Sequence, residues 1–224
     1  MCLSAEVDLV AGLVISGAGI DALRHAENRR EIAVAAMPVV LGAHQLVEAV
    51  AWWGLEGRVP EVAGEIAVWA YLLVAFGLLP AYVPAAVARL ETDAARARSM
   101  RHLAVIGAAV SLVLVAAMVR GPVEAAVGGR FIAYEVDLSY GGLVVAGYVA
   151  ATCGALLLSS HRIILRFGLF NLAAVGLLAW LQTSGFASLW CAWAALGSLG
   201  LALRLRHGSL VDDHSRGLGR PVTN

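Results

Sequence analysis

Ile32-Ala-Val-Ala-Ala-Met-Pro38-Val-Val-Leu41-Gly-Ala-His44-Gln45-Leu-Val-Glu48-Ala-Val-Ala-Trp52-Trp53-Gly54 carries one charged side chain in twenty-three residues, Glu48. Wound as a helix at about 1.5 Å per residue, such a stretch matches a hydrocarbon core about 30 Å thick. It reads as a membrane span. Six further segments share its character: 5–24, 64–89, 101–119, 140–159, 163–182 and 186–205. The predicted fold is an all-α membrane protein, a bundle of seven transmembrane helices over residues 1–206. A polar tail over 207–224, with Gly, Asp, Ser and Pro, is expected to be disordered. Pro38 falls inside the second helix, and Pro80 and Pro84 should kink the third.

Composition agrees with this reading. The 224 residues are 60% hydrophobic and 14% charged, with a mean hydropathy of +0.80. Soluble domains keep roughly a quarter of their residues charged. Sixteen basic residues, all arginine, balance sixteen acidic ones, so charge gives no reason to expect nucleic acid as a partner. Thirteen of the arginines fall at one end of the predicted bundle, in the turns after helices 1, 3 and 5 and after helix 7. The other end holds Arg58, Arg120 and Arg130. The positive-inside rule then predicts a cytoplasmic C-terminus and an outside N-terminus. The opening Met1-Cys2-Leu3-Ser4 has no basic n-region, so the first apolar segment is expected to remain as helix 1. The expected location is a bacterial cytoplasmic (inner) membrane, with the lipid bilayer as partner.

The one sizeable outer loop contains Val123-Glu-Ala-Ala-Val127, Gly128-Gly129 and Arg130-Phe-Ile-Ala-Tyr-Glu-Val-Asp137. Two short runs around a Gly-Gly pair predict a β-hairpin in the loop 120–139, able to lie as a lid over the bundle. Small residues recur every four positions in helix 5 (Gly147, Ala151, Ala155) and helix 7 (Ala187, Cys191, Ala195), which predicts close packing and central places for both.

The chemistry concentrates on helix 2. His44 and Glu48 are four residues apart and share one face with Leu41, Gln45 and Trp52. A carboxyl in a membrane core is costly unless paired, neutralised or wet, which makes Glu48 the leading functional residue. A His–Glu pair that only locks helix 2 to its neighbours is the structural alternative. Cys2 at the start of helix 1 and Cys191 in helix 7 are expected at the same outer end as Glu48. Thiolate, imidazole and carboxylate together form a ligand set for zinc or another transition metal, with Cys2, His44, Glu48 and Cys191 as donors. A disulfide or two merely buried thiols would explain the cysteines equally well. All six tryptophans fall in the outer half, and Trp52, Trp69, Trp180, Trp190 and Trp193 are expected to frame an aromatic pocket for an apolar, cationic or planar ligand. A one-sided aromatic belt is the plainer reading. His25, Glu91, Asp93, His102 and His161 at the other end read as loop polars beside the arginines.

Three segments carry a resemblance: Met1-Cys2-Leu3-Ser4-Ala5, His44-Gln45-Leu46-Val47-Glu48-Ala49-Val50-Ala51-Trp52, and Ser188-Leu189-Trp190-Cys191-Ala192-Trp193. Together with Pro80-Ala-Tyr-Val-Pro84, Glu91 and Ser159-Ser160-His161-Arg162, the chain resembles a family of bacterial integral membrane proteins of unknown function that typically begin Met-Cys-Phe-Ser and carry a Trp-Cys motif in the last helix. The resemblance implies a multi-helix bundle in which the segments holding Cys2, Glu48 and Cys191 are family features. It brings no activity. This chain has Leu3 and Ala192 where phenylalanine is usual, and His44 where many members have glutamine, which shifts weight from His44 to Glu48.

Four functions are compatible with these residues. The first is a membrane-embedded enzyme or cofactor-binding protein built around Glu48. The second is an acid-initiated cyclase or isomerase, in which a buried carboxyl donates a proton to an apolar substrate and tryptophans face the resulting cation. A proton-coupled or small-molecule transporter and a structural membrane subunit complete the set.

Overall fold

The computed structural model describes residues 4–181, 185–208 and 210. Seven helices and one hairpin make up the described chain: α1 (Ala5–Arg24), α2 (Ile32–Leu55), α3 (Glu61–Leu90), α4 (Ala94–Arg120), β1 (Val123–Val127), β2 (Ile132–Val136), α5 (Gly141–Leu157), α6 (Arg162–Leu181) and α7 (Phe186–Arg206). Five of the helices, α2, α3, α4, α6 and α7, are long and apolar enough to cross a membrane. The sequence predicted seven such spans. The difference has two causes. α5 is apolar but only 17 residues long, and α1 carries Glu6, Asp8, Asp21 and Arg24 within its 20 residues. The bundle's outside nonetheless carries large apolar side chains, with Leu112, Val119 and Leu143 largely exposed, as a lipid-facing surface requires. Most of the tail over 207–224 lies outside the described residues.

Helix ends follow the capping chemistry. Ser4 caps α1, accepting from the Val7 N–H at 3.4 Å. Asp93 caps α4, accepting from Arg96 N–H at 2.8 Å, so α4 begins seven residues before the predicted 101. The arginine-bearing first turns were helical but not apolar. Pro38 interrupts α2 for one residue, at Ala36, between Ile32–Ala35 and Met37–Leu55, because proline has no N–H to donate and its ring crowds the carbonyl four residues back.

α3 answers its prolines with a wider turn. Leu73–Leu78 is π-helical, and the Leu79 N–H donates to Val74 O, five residues back. In that pattern the Ala75 carbonyl would take the N–H of residue 80, which is proline and has none. Tyr148 of α5 supplies the missing donor: its hydroxyl reaches Ala75 O at 2.7 Å. One turn further on, Pro84 leaves the Pro80 carbonyl without a helical donor. α4 packs against it at Gly107, where any Cβ would overlap that carbonyl.

α1 packs most extensively on α2. Gly12 faces Leu46, Ser16 faces Gly42 and Gly19 faces Val39, an antiparallel register so close that small residues are obligatory. α7 touches α1, α2, α6 and β2, and α5 touches α3, α4 and α6, so α7 in particular is central. The hairpin pairs Val123 with Val136 through Val127 with Ile132. Its turn uses Gly129 at φ +85°, a conformation glycine adopts without strain. The hairpin lies against α2 and α7 and buries Ile132 completely.

Candidate functional site

The α2 face picked out by its spacing is buried throughout. Leu41, His44, Gln45, Glu48 and Trp52 are each at most 5% exposed, and Gln45 Nε2 donates to Glu48 Oε2 at 3.3 Å. The His44 ring stacks on Tyr71 of α3, with centroids 4.0 Å apart and planes 14° apart. Tyr71 in turn stacks on Tyr134 of β2 at 4.6 Å and 15°. Neither ring nitrogen of His44 has a hydrogen-bond partner among the described residues. His44 is therefore the inner end of a three-ring stack that runs from the hairpin into the bundle.

From Tyr71 the site continues to α7. Its hydroxyl donates to Ala187 O at 3.4 Å, one turn before Cys191. Ser188, one turn before Cys191, is fully buried. α1 contributes a second acid. Asp8 is fully buried on the same stripe as Gly12, and the α1–α2 register sets it opposite Val50, about 3 Å of helix rise from the level of Glu48. Two carboxyls, a thiol and a tyrosine hydroxyl from α1, α2, α3 and α7 thus share the hairpin end of the bundle.

Two apolar cavities adjoin this cluster. Tyr148, Trp190 and Cys191 line both. The first runs among α2, α3, α5, α6 and α7, with Tyr82, Cys153, Phe167 and Asn171 in its wall. The second lies under the hairpin, with Phe76, Tyr134, Leu138 and Phe186 in its wall. Asn171 orients Trp190, accepting from its indole N–H at 3.3 Å while donating to Phe167 O at 2.8 Å. Apolar walls and a few convergent polar groups are the usual lining of a small-molecule site.

The profile of a family of unknown function, DUF6629, matches residues 1–215. The chain belongs to that family. No curated protein and no solved structure matches it. For a DUF6629 chain the geometry therefore has to speak by itself.

Several expected site residues sit elsewhere than the sequence suggested. Of the tryptophans, Trp190 lines the cavities. Trp52 is buried in the core, and Trp69 and Trp180 are exposed, Trp180 at 81%. Trp193 stacks on Phe170 at 4.6 Å and donates to its carbonyl at 3.2 Å. The cavity walls owe their aromatic character mainly to tyrosine and phenylalanine, which are less conspicuous in a membrane sequence than tryptophan. Cys2 lies outside the described residues. Among the described residues no three His, Cys, Asp or Glu side chains converge on a point where one ion could be held. His44, Glu48 and Cys191 are all described and form no such group, so the four-donor set is not assembled by these three.

Sequence reasoning missed Asp8, Tyr71, Tyr134 and Tyr148. Asp8 was detectable as an acid on the Ala5, Gly12, Ile15, Gly19 stripe of α1. The tyrosines have no local signal, since their roles depend on packing between distant segments. The far end holds a different arrangement. Glu91 accepts from Ser160 Oγ at 2.7 Å and Ser160 N–H at 2.9 Å, and from the N–H groups of Thr92 and Asp93 at 3.1 and 3.2 Å. Burial works to raise its pKa, but these donors and nearby His161 outweigh it and hold the carboxyl below its ordinary value. Glu91 thereby ties the α3–α4 turn to the α5–α6 turn.

Proposed function

We propose that this protein is a membrane-embedded enzyme that takes an apolar molecule into the cavities beside Cys191 and isomerises or cyclises it by proton transfer drawn from Glu48. The observation that carries the reading is the position of Cys191: it lines both cavities, one turn after the Ala187 carbonyl that accepts from Tyr71. Glu48 holds the proton, and Tyr71 and Cys191 link it to the cavity wall. A proton lent to the substrate returns after rearrangement, so the chemistry balances with no oxidant, reductant or second substrate. Trp190 and Tyr148 present ring faces to any cation formed on the way. Arginine placement favours an outside N-terminus and an outside hairpin, with the site in the outer leaflet.

The test compares membranes of cells making the wild-type protein, Glu48→Gln, or no protein, by mass spectrometry of extracted apolar compounds. Glutamine keeps the shape and hydrogen bonding of Glu48 and cannot supply the proton. The wild type should change the level of at least one apolar compound by about ten-fold or more, equivalent to at least ~1.4 kcal/mol. Glu48→Gln should accumulate to the same level, melt at the same temperature, and give the no-protein pattern. If Glu48→Gln instead matches the wild-type profile, proton transfer from Glu48 is wrong. If the compound is redistributed across the membrane and not altered, the protein is a carrier.

A further inference from the structure

The two cavities share part of their lining. Tyr148 and Trp190 stand in the wall that both cavities share, together with Cys191, their rings 5.1 Å apart and tilted by 59°. Each ring is tethered through one hydrogen bond of its polar atom, Tyr148 to Ala75 O and Trp190 to Asn171.

We propose that the two cavities are halves of one site, and that its occupant is a single linear hydrocarbon chain of leaflet length drawn from the bilayer. This rests on the reading that the cavities bind an apolar ligand. Along α5 the lining runs from Val144 to Leu156, about 18 Å of helix. Half of a hydrocarbon core about 30 Å thick is about 15 Å, the depth one lipid chain fills. The polar end of the chain belongs in the second cavity, where the Tyr134 side chain stands in the wall and the hairpin forms the roof. The tail then passes Tyr148, Trp190 and Cys191 into the first cavity, whose lining is almost wholly apolar. The same geometry accepts an acyl or an isoprenoid chain, and the arms of the test separate the two sources.

The experiment measures binding of palmitic acid, farnesol, octanoic acid and geraniol, each bearing a photoreactive diazirine, to the full-length protein in lipid nanodiscs. Ala194→Phe and Val83→Phe fill the first cavity; Val144→Phe and Leu138→Phe fill the second. Two variants per cavity keep the test decisive if one fails to fold. Every filling variant should weaken binding of the long probe by about ten-fold or more, while each short probe should respond to one pair of variants alone. Palmitic acid binding without farnesol identifies an acyl chain, and the reverse identifies an isoprenoid. Long-probe binding that ignores the first-cavity variants overturns the single site but leaves apolar binding in place. Failure of all four probes to bind the wild type overturns both readings.

Discussion

Glu48 and His44 are neighbours on one helix face, yet the structure separates their roles. Glu48 is fully buried and accepts from Gln45. His44 offers its ring to Tyr71 and leaves both nitrogens without hydrogen-bond partners among the described residues. A buried polar atom without a partner costs about 1–3 kcal/mol. His44→Phe should therefore keep the stack, remove that cost, and leave thermal stability in detergent unchanged or raised by about 1 kcal/mol. His44→Ala should lose roughly 2–4 kcal/mol by opening a void. Loss of activity in His44→Phe with stability intact would mean that a ring nitrogen takes part in the chemistry. The importance of Glu48 was legible because an acid in an apolar run is conspicuous wherever it packs. The stacking of His44 was not, because Tyr71 and Tyr134 are far away in sequence and carry no spacing signal.

The helices were legible from apolar length, and the errors lie where length and charge compete. α4 extends into an arginine-rich turn that an apolar window cannot include, and α1 packs tightly although four charges interrupt it. The prolines of α3 signalled a distortion, but a wider π turn with a carbonyl served from α5 could not be read from the sequence. That arrangement makes a sharp prediction about Tyr148. Tyr148→Phe should cost about 1–3 kcal/mol, since the Ala75 carbonyl loses its donor in an apolar setting. In a Pro80→Ala background the restored N–H can serve that carbonyl, and the same substitution should cost less than about 0.5 kcal/mol. Chemical denaturation of the four proteins of this cycle measures the coupling. Equal costs in both backgrounds would show that the proline and the tyrosine act independently.

In the whole molecule the cluster and the hairpin lie at the end that holds Arg58, Arg120 and Arg130, and the first cavity extends from there toward the arginine-rich turns, with Met37, Tyr82 and Leu156 in its wall. Reporter fusions after Arg206 should read as cytoplasmic and those within 121–139 as outside, and a cytoplasmic signal from the loop would move the site to the inner leaflet. Positive-inside counting predicts this direction; the hairpin that the Gly-Gly pair predicted is present at Val123–Val127 and Ile132–Val136. The cavities were not legible, because their walls are built from helices distant in sequence, with Tyr148 of α5 and Trp190 of α7 common to both. Occupancy of those cavities by an apolar molecule is directly measurable. The protein, extracted gently and analysed by native mass spectrometry, should carry one defined apolar species near one per chain, and Ala194→Phe should carry little of it. Finding only bulk membrane lipid, in the same proportions on the wild type and on Ala194→Phe, would contradict the account.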